Sequence, residues 1–190
     1  MRLVLGSSSR YRREQLTSLG YAFETQRPGI DESPADDETP AELVARLAAS
    51  KAAAVASRRP DAVVIGADQV CVCDDEILGK PGTRERAVAQ LVRLSGREVV
   101  FLSAIHVRTR DEGITHIEPT EVSFRTLSER EIANYVDLDN PLDCAGAIRS
   151  EGRGPLLFEH VKTADPSAII GLPLIRLGEI LRGFGLNPLA

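Results

Sequence analysis

Three observations predict an α/β protein built on one mixed sheet. In Asp61-Ala-Val-Val-Ile-Gly-Ala-Asp-Gln-Val70, the apolar run from Ala62 to Ala67 is too short for a helix and rich in β-branched residues. It therefore reads as a strand buried on both faces. The N-terminus gives a strand from Arg2 to Gly6, a serine turn at Ser7-Ser8-Ser9 and a helix through about Leu19. Strongly β segments from Val99 to Val107 and from Ile114 to Arg125 flank the turn Asp111-Glu-Gly113, which reads as a long hairpin of the kind that forms a platform or an oligomer interface. With 190 residues the chain suits one domain spanning 1–190.

Each remaining element has a local cause. Serine is a favoured helix N-cap, and the strand-to-helix turn after Gly6 points free backbone N–H groups outward. Ala22 to Gln26 reads as a strand, and 27–37 as a loop carrying Asp31-Glu32. Thr39-Pro-Ala-Glu42 is a capping box with proline at the first helical position, and opens a helix to about Arg58. Val70 to Cys73 reads as a separate β segment, Asp74-Asp75 as a turn, and Gly79-Lys80-Pro81 as a tight bend. A helix from Thr83 to Leu94 ends at Ser95-Gly96. Ser128-Glu-Arg-Glu131 is a second capping box, with its helix expected to reach Val136 and a loop over Asp137 to Asp143. Cys144 to Arg149 and Leu156 to Val161 read as strands around the glycine-rich turn Ser150 to Gly154. Asp165-Pro166-Ser167 opens a final helical region interrupted by Gly171-Leu-Pro173.

The composition is that of an ordinary globular protein, with 43% hydrophobic and 27% charged residues. A formal charge of −5 argues against general nucleic-acid or anionic-membrane binding, which need basic surfaces. No apolar run is long enough to cross a bilayer, and Met1-Arg-Leu-Val-Leu-Gly6 enters a strand without a signal-type region. Three cysteines without a paired framework fit a reducing cytoplasm. Cys71 and Cys73 alternate with valine on one strand face and read as small buried apolar residues rather than metal ligands.

Several residues carry candidate chemistry. Asp68 and Gln69 follow the apolar run directly, at the expected strand end, where open α/β sheets bind ligands. Arg10, Arg12 and Arg13 put cations in the first turns of a helix, where the macrodipole disfavours them, so either a bound anion or solvent must settle them. Lys51 falls in the middle of the stripe Leu43, Val44, Leu47, Ala48, Ala54, Val55. It must snorkel past these neighbours or meet an anion in a polar site.

Together these residues resemble the Maf family of nucleotide pyrophosphatases. The matching pieces are Ser7-Ser-Ser-x-Tyr-Arg-Arg13, Asp31-Glu32, Arg46-Leu-Ala-x-x-Lys-Ala52, Gly66-Ala-Asp-Gln-Val70, Gly79-Lys-Pro81, Ser95-Gly96, Val122-Ser-Phe-Arg125, Cys144-Ala-Gly146, Ser150-Glu-Gly152 and Gly171-Leu-Pro-Leu174. They run in order over nearly the whole chain. Asp-Gln-Val, Asp-Cys-Ala-Gly and Ser-Glu-Gly resemble the branch acting on N7-methyl-GTP. The dTTP/UTP branch typically has Gln at the position of Glu151 and Lys at that of Cys144.

The resemblance implies a Maf-like, ITPase-like domain with a mixed twisted sheet, flanking helices and two lobes around a central cleft. It implies a cytoplasmic, often homodimeric enzyme that hydrolyses a nucleoside triphosphate to the monophosphate and pyrophosphate with Mg²⁺ or Mn²⁺. By matching position, Asp68 is the proton acceptor and, with Glu32, a metal ligand, while Lys51 and Lys80 act with it in catalysis. Ser7, Tyr11, Arg12, Arg13, Gln69 and Glu151 fall to substrate binding, with Tyr11, Gln69 and Glu151 bearing on the base. Arg10 stands where many members have proline, Ala67 where this branch often has serine, and Ala104 where a Thr-Gly pair commonly occurs. These departures touch substrate preference more than chemistry. The other readings are a dTTP/UTP pyrophosphatase of the same family and a non-catalytic nucleotide-binding regulator of cell division.

Overall fold

Leu3, Val4 and Leu5 are all buried in strand β1 (Arg2–Gly6), so this short strand has apolar neighbours on both faces. The computed structural model describes Met1–Ala190. Six further strands follow: β2 (Phe23–Thr25), β3 (Ala62–Cys73), β4 (Glu76–Leu78), β5 (Glu98–Arg108), β6 (Gly113–Phe124) and β7 (Phe158–Lys162). The helices are α1 (Arg10–Ser18), α2 (Pro40–Ala56), α3 (Arg84–Leu94), α4 (Glu129–Asp139) and α5 (Leu174–Gly183). The strands form one seven-stranded sheet in the order β2-β1-β3-β5-β6-β7, with β4 on β3. It is mixed: β1 is parallel to β2 and β3, whereas β3–β4 and β6–β7 are antiparallel.

The chain divides into two compact units. The first comprises Met1–Asp68, Ser103–Glu118 and Asp165–Ala190, the second Gln69–Leu102 and Pro119–Ala164. In the first unit the period of two along a strand sorts the core. Leu3, Leu5, Val63, Ile65 and Ala67 pack with Leu16 of α1 and Leu177 and Leu181 of α5. Val4, Ala62 and Val64 pack on the other side with Ala52 and Val55 of α2. Both faces of the parallel pair β1–β3 are covered, which is why Ala62 to Ala67 reads as an unbroken apolar run.

In the second unit, α3 packs against α4 and buries Leu91 and Leu94, while α4 buries Ile132, Tyr135 and Val136. Phe124 and Phe158 meet edge to face, with ring centroids 5.2 Å apart. Both capping boxes form: Thr39 accepts from Glu42 N and Ser128 from Glu131 N, each with the glutamate reaching back.

The structure departs from the sequence expectations in several places: β4 (Glu76–Leu78) is a strand they did not include, and Leu156 and Leu157, expected in a strand, lie in a 3₁₀ turn before β7. β3 runs unbroken through Cys73, so Asp68 lies within a strand rather than at its end. What ends there is β1, whose last pairing is Gly6 with Gly66. Beyond Gly66 the edge of β3 no longer has β1 beside it. Cys144 to Arg149 is not a strand; a 3₁₀ turn covers Ala145–Ala147, with left-handed φ of 62° at Gly146 and 56° at Ala147. Two successive left-handed residues are incompatible with an extended chain. Helix α4 continues to Asp139, past the expected end at Val136, and stops at Asn140, whose φ of 46° is that of a left-handed cap.

Candidate active site

The alternation that buries Ala62 and Val64 against α2 also points Asp68 to that side, because 62, 64, 66 and 68 share a face. Gly66 lets the helix come close: a Cβ there would stand 2.1 Å from Ala48 O and 2.6 Å from Ala52 N. Lys51, 5% exposed, therefore reaches Asp68 across a very short helix–strand gap. Its Nζ donates to Asp68 Oδ1 at 2.6 Å and to Glu32 Oε2 at 2.7 Å. Lys51 thus does not snorkel to water; it meets two carboxylates.

Arg12 joins this group from α1. Its Nε donates to Gly171 O at 3.2 Å and its Nη1 to Ala67 O at 2.9 Å. Burial pulls its pKa down, while the charges of Asp68 and Glu32 push it up. Those two bonds leave the Nη2 edge of the guanidinium, a planar fork suited to phosphate oxygens. Beneath it, Ser9 caps α1 by accepting Arg12 N, and Ser7, 8% exposed, accepts Ser9 N at 3.1 Å. The predicted serine turn is thus fastened at the end of β1.

The loop bearing Glu32 is pinned by residues to which the sequence reading gave no role. Arg46 Nε and Nη2 grip Glu38 at 2.6 and 2.7 Å, and Nη2 also donates to Ser33 O at 3.0 Å. The Arg46 fork is the main cause that holds Glu38 at about 2. Asp31 spends itself on the same loop, accepting from Ser33 N and Oγ, which lowers its pKa. Gln15 is the second residue missed, a buried amide whose Nε2 donates to Ser167 O and Leu172 O. A signal existed: Gln15 shares the buried face of α1 with Tyr11 and Leu16, just as Lys51 breaks the apolar stripe of α2.

Of the expected site residues, Arg12, Glu32, Lys51 and Asp68 come together in the first unit, with Ser7 at the adjoining turn. Arg13 is solvent-exposed. Tyr11 is 8% exposed, and the Arg10 guanidinium lies 4.6 Å from its ring centroid, so that ring is already packed and stacked. Gln69, Lys80 and Glu151 belong to the second unit. Gln69 follows Asp68 in β3, Lys80 is exposed beyond β4, and Glu151 pairs with Arg149 Nε at 3.1 Å. The turn around Glu151 is held firmly. Tyr135 Oη accepts Arg149 N at 2.9 Å, Asp139 accepts both Arg153 N and Nη1, and a Cβ on Gly152 would stand 2.4 Å from Asp139 Oδ2.

No group of three or more His, Cys, Asp and Glu side chains is placed to hold a metal ion on its own. Glu32 and Asp68 nevertheless share one cation, the Lys51 ammonium. Two hard carboxylates suit Mg²⁺ or Mn²⁺, ions that complete their shell with water and phosphate oxygens. The donor set fits such an ion and does not fit the nitrogen and sulfur ligands of structural zinc.

Cys71 and Cys73 are buried, as expected, and burial raises the Cys71 thiol to about 12. No helix is long and apolar enough to cross a membrane.

An open mixed sheet with five helices, and a lysine, an arginine and two carboxylates gathered beside the end of a parallel strand, place the chain among the α/β proteins. The family model described as Maf-like protein matches residues 2–184, and the chain belongs to that family. Among curated relatives, the 7-methyl-GTP pyrophosphatase of Chromohalobacter salexigens is 51% identical over 191 residues, covering 99% of this chain and 98% of its own length. Its namesake from Idiomarina loihiensis is 48% identical, covering 98% and 96%. The one from Xanthomonas oryzae pv. oryzae is 47% identical, covering 98% of both chains.

Proposed function

We propose that the protein is a nucleoside triphosphate pyrophosphatase that acts on N7-methyl-GTP, giving N7-methyl-GMP and pyrophosphate. The observation that carries this reading is the Lys51 ammonium held between Asp68 and Glu32, with the Arg12 guanidinium close enough to feel both charges. A site for binding a polyanion alone gains nothing from two carboxylates, whereas hydrolysis needs a proton acceptor and cation ligands as well as positive charge. The names of the full-length relatives supply the substrate.

In this mechanism Asp68 accepts the proton of the attacking water. The water oxygen bonds to the α-phosphorus as the bond from that phosphorus to the bridging oxygen breaks, and pyrophosphate leaves with the electron pair. Lys51, donating to Asp68 Oδ1, holds that carboxylate in place. Arg12 and Lys80 take up charge that builds on the leaving phosphates, and Ser7 closes the turn beneath them. Arg13 adds positive potential from the surface. Glu32 and Asp68 would hold the Mg²⁺ or Mn²⁺ ion, which when bound neutralises phosphate charge and lowers the pKa of water. Gln69 and Glu151 are assigned to the base. Glu151 suits a cationic purine with N–H donors and disfavours the carbonyl edge of a pyrimidine. Tyr11, whose ring lies against the Arg10 guanidinium, is assigned with Gln69 and Glu151 to the base.

The test is pyrophosphate release by purified protein from N7-methyl-GTP, GTP, dTTP and UTP, with Mg²⁺, Mn²⁺ or EDTA. Cation-dependent release fastest from N7-methyl-GTP is expected. Preference for dTTP or UTP would reassign the substrate, and no release from any nucleotide would overturn the enzyme. A homodimer and a cytoplasmic address belong to the same proposal, checked by light scattering and cell fractionation.

A further inference from the structure

Helix α5 starts at Leu174 behind Pro173, which supplies no side-chain cap. Its first amides are satisfied from farther back: Leu174 N donates to Ser167 Oγ at 2.8 Å and Ile175 N to Asp165 Oδ2 at 2.7 Å. Asp165, 3% exposed, also accepts Ser167 N at 3.0 Å, and Gln15 of α1 donates to Ser167 O at 2.8 Å and Leu172 O at 3.2 Å. These bonds fold 165–174 into one tied loop. Within it Gly171 takes a φ of 136°, open to glycine and strained for any other residue.

The Gly171 carbonyl is the acceptor for Arg12 Nε, and the glycine's missing side chain is what lets the arginine lie there. A Cβ on Gly171 would stand 3.1 Å from Arg12 Nε and 3.3 Å from its Cγ. The other grip on Arg12 is Ala67 O, one residue before Asp68. Two carbonyls from distant parts of the sequence thus set the plane of one guanidinium. We infer that Gly171 is a positioning residue: seated by the Asp165–Ser167 cap, it orients Arg12 so that the Nη2 edge faces the phosphate chain. The inference rests on the phosphate-handling role of Arg12 proposed above. It explains why Asp165 and Ser167, to which that mechanism gives no step, are both committed to backbone amides.

The experiment is calorimetric binding of inorganic tripolyphosphate, in Mg²⁺ buffer, to wild type, Gly171→Ala, Arg12→Gln and the double variant, alongside melting curves and pyrophosphate release. Gly171→Ala is expected to weaken binding about tenfold, the scale of one charge-assisted hydrogen bond. The double variant should bind no more weakly than Arg12→Gln, because both changes act on the same guanidinium. Ser167→Ala, a milder loosening of the same loop, should give a loss in the same direction that also vanishes in the Arg12→Gln background, and it stands in if Gly171→Ala does not fold. Additive losses, or unchanged affinity in folded Gly171→Ala, would overturn the inference. So would wild-type protein that does not bind tripolyphosphate. Wild-type protein that binds through this cycle yet releases no pyrophosphate from any nucleotide would overturn the proposed hydrolase and leave the positioning role standing.

Discussion

Lys51 Nζ stands 2.6 Å from Asp68 Oδ1, and both residues are buried, at 5% and 8% exposure. As a lone lysine in an apolar stripe, Lys51 would tolerate methionine. With Asp68 against it the sign reverses, since Lys51→Met strands a carboxylate. Full burial would make this about 3–5 kcal/mol, and we expect roughly 1–3 kcal/mol because Arg12 and solvent at Glu32 share the charge. Urea denaturation checks this, and Lys51→Met/Asp68→Asn should recover most of the loss. Wild-type stability in Lys51→Met would mean that the pair is energetically idle.

Asp68→Asn keeps the shape of the side chain and removes the base. It should fold and bind N7-methyl-GTP while turnover falls on the order of a hundredfold or more. Near wild-type turnover in single-turnover kinetics would exclude Asp68 as proton acceptor.

Gly66→Ala tests the close approach of α2 to β3. The added Cβ would stand 2.1 Å from a backbone oxygen, so the helix or strand must move. Overpacking of this kind costs about 1–3 kcal/mol or more. Activity should fall further than stability explains, because the same shift separates Lys51 from Asp68. A variant with wild-type melting temperature and turnover would refute the packing argument.

Acid should loosen the loop that carries Glu32. Glu38 is held at about 2, from an ordinary 4.5, chiefly by Arg46, and Glu131 at about 2 chiefly by Arg125. Carboxyls depressed in the folded state contribute stability that is fully present above the unfolded value and lost as pH falls through the folded one. Melting temperature should therefore decline between pH 4.5 and 2. Arg46→Met should flatten part of that decline, and an unchanged profile would show that the Arg46–Glu38 pair contributes nothing.

Glu151→Gln asks whether this carboxylate reads the base. We expect kcat/KM for N7-methyl-GTP to fall by about 1–3 kcal/mol relative to dTTP, the scale of a lost charged hydrogen bond. The Arg149 partner must exchange for the base in this reading, so Arg149→Met should leave preference for N7-methyl-GTP intact. Equal losses on both nucleotides after Glu151→Gln would remove it from specificity.

Local chemistry was legible in the sequence because its causes lie within a few residues. Thr39 and Ser128 each meet a glutamate three positions on, and Ala62 to Ala67 has a length and branching that suit only a covered strand. The same reading failed at Cys144 to Arg149, where left-handed Gly146 and Ala147 turn a β-like composition into a 3₁₀ bend. It also broke β3 at Asp68, since a charge normally ends a buried strand and only the ammonium of another helix lets this one continue. Lys51 was conspicuous as a lysine in an apolar stripe, but which anion it met depended on Gly66 admitting α2 to the sheet. Helix position alone left Arg10, Arg12 and Arg13 alike, the family resemblance marked Arg12 and Arg13, and in the fold Gly171, 159 positions away, receives Arg12. Patterns of period two and 3.6 specify which face of an element is buried. Which charge lies across from that face is a contact between segments far apart in the chain, and only the packed fold decides it.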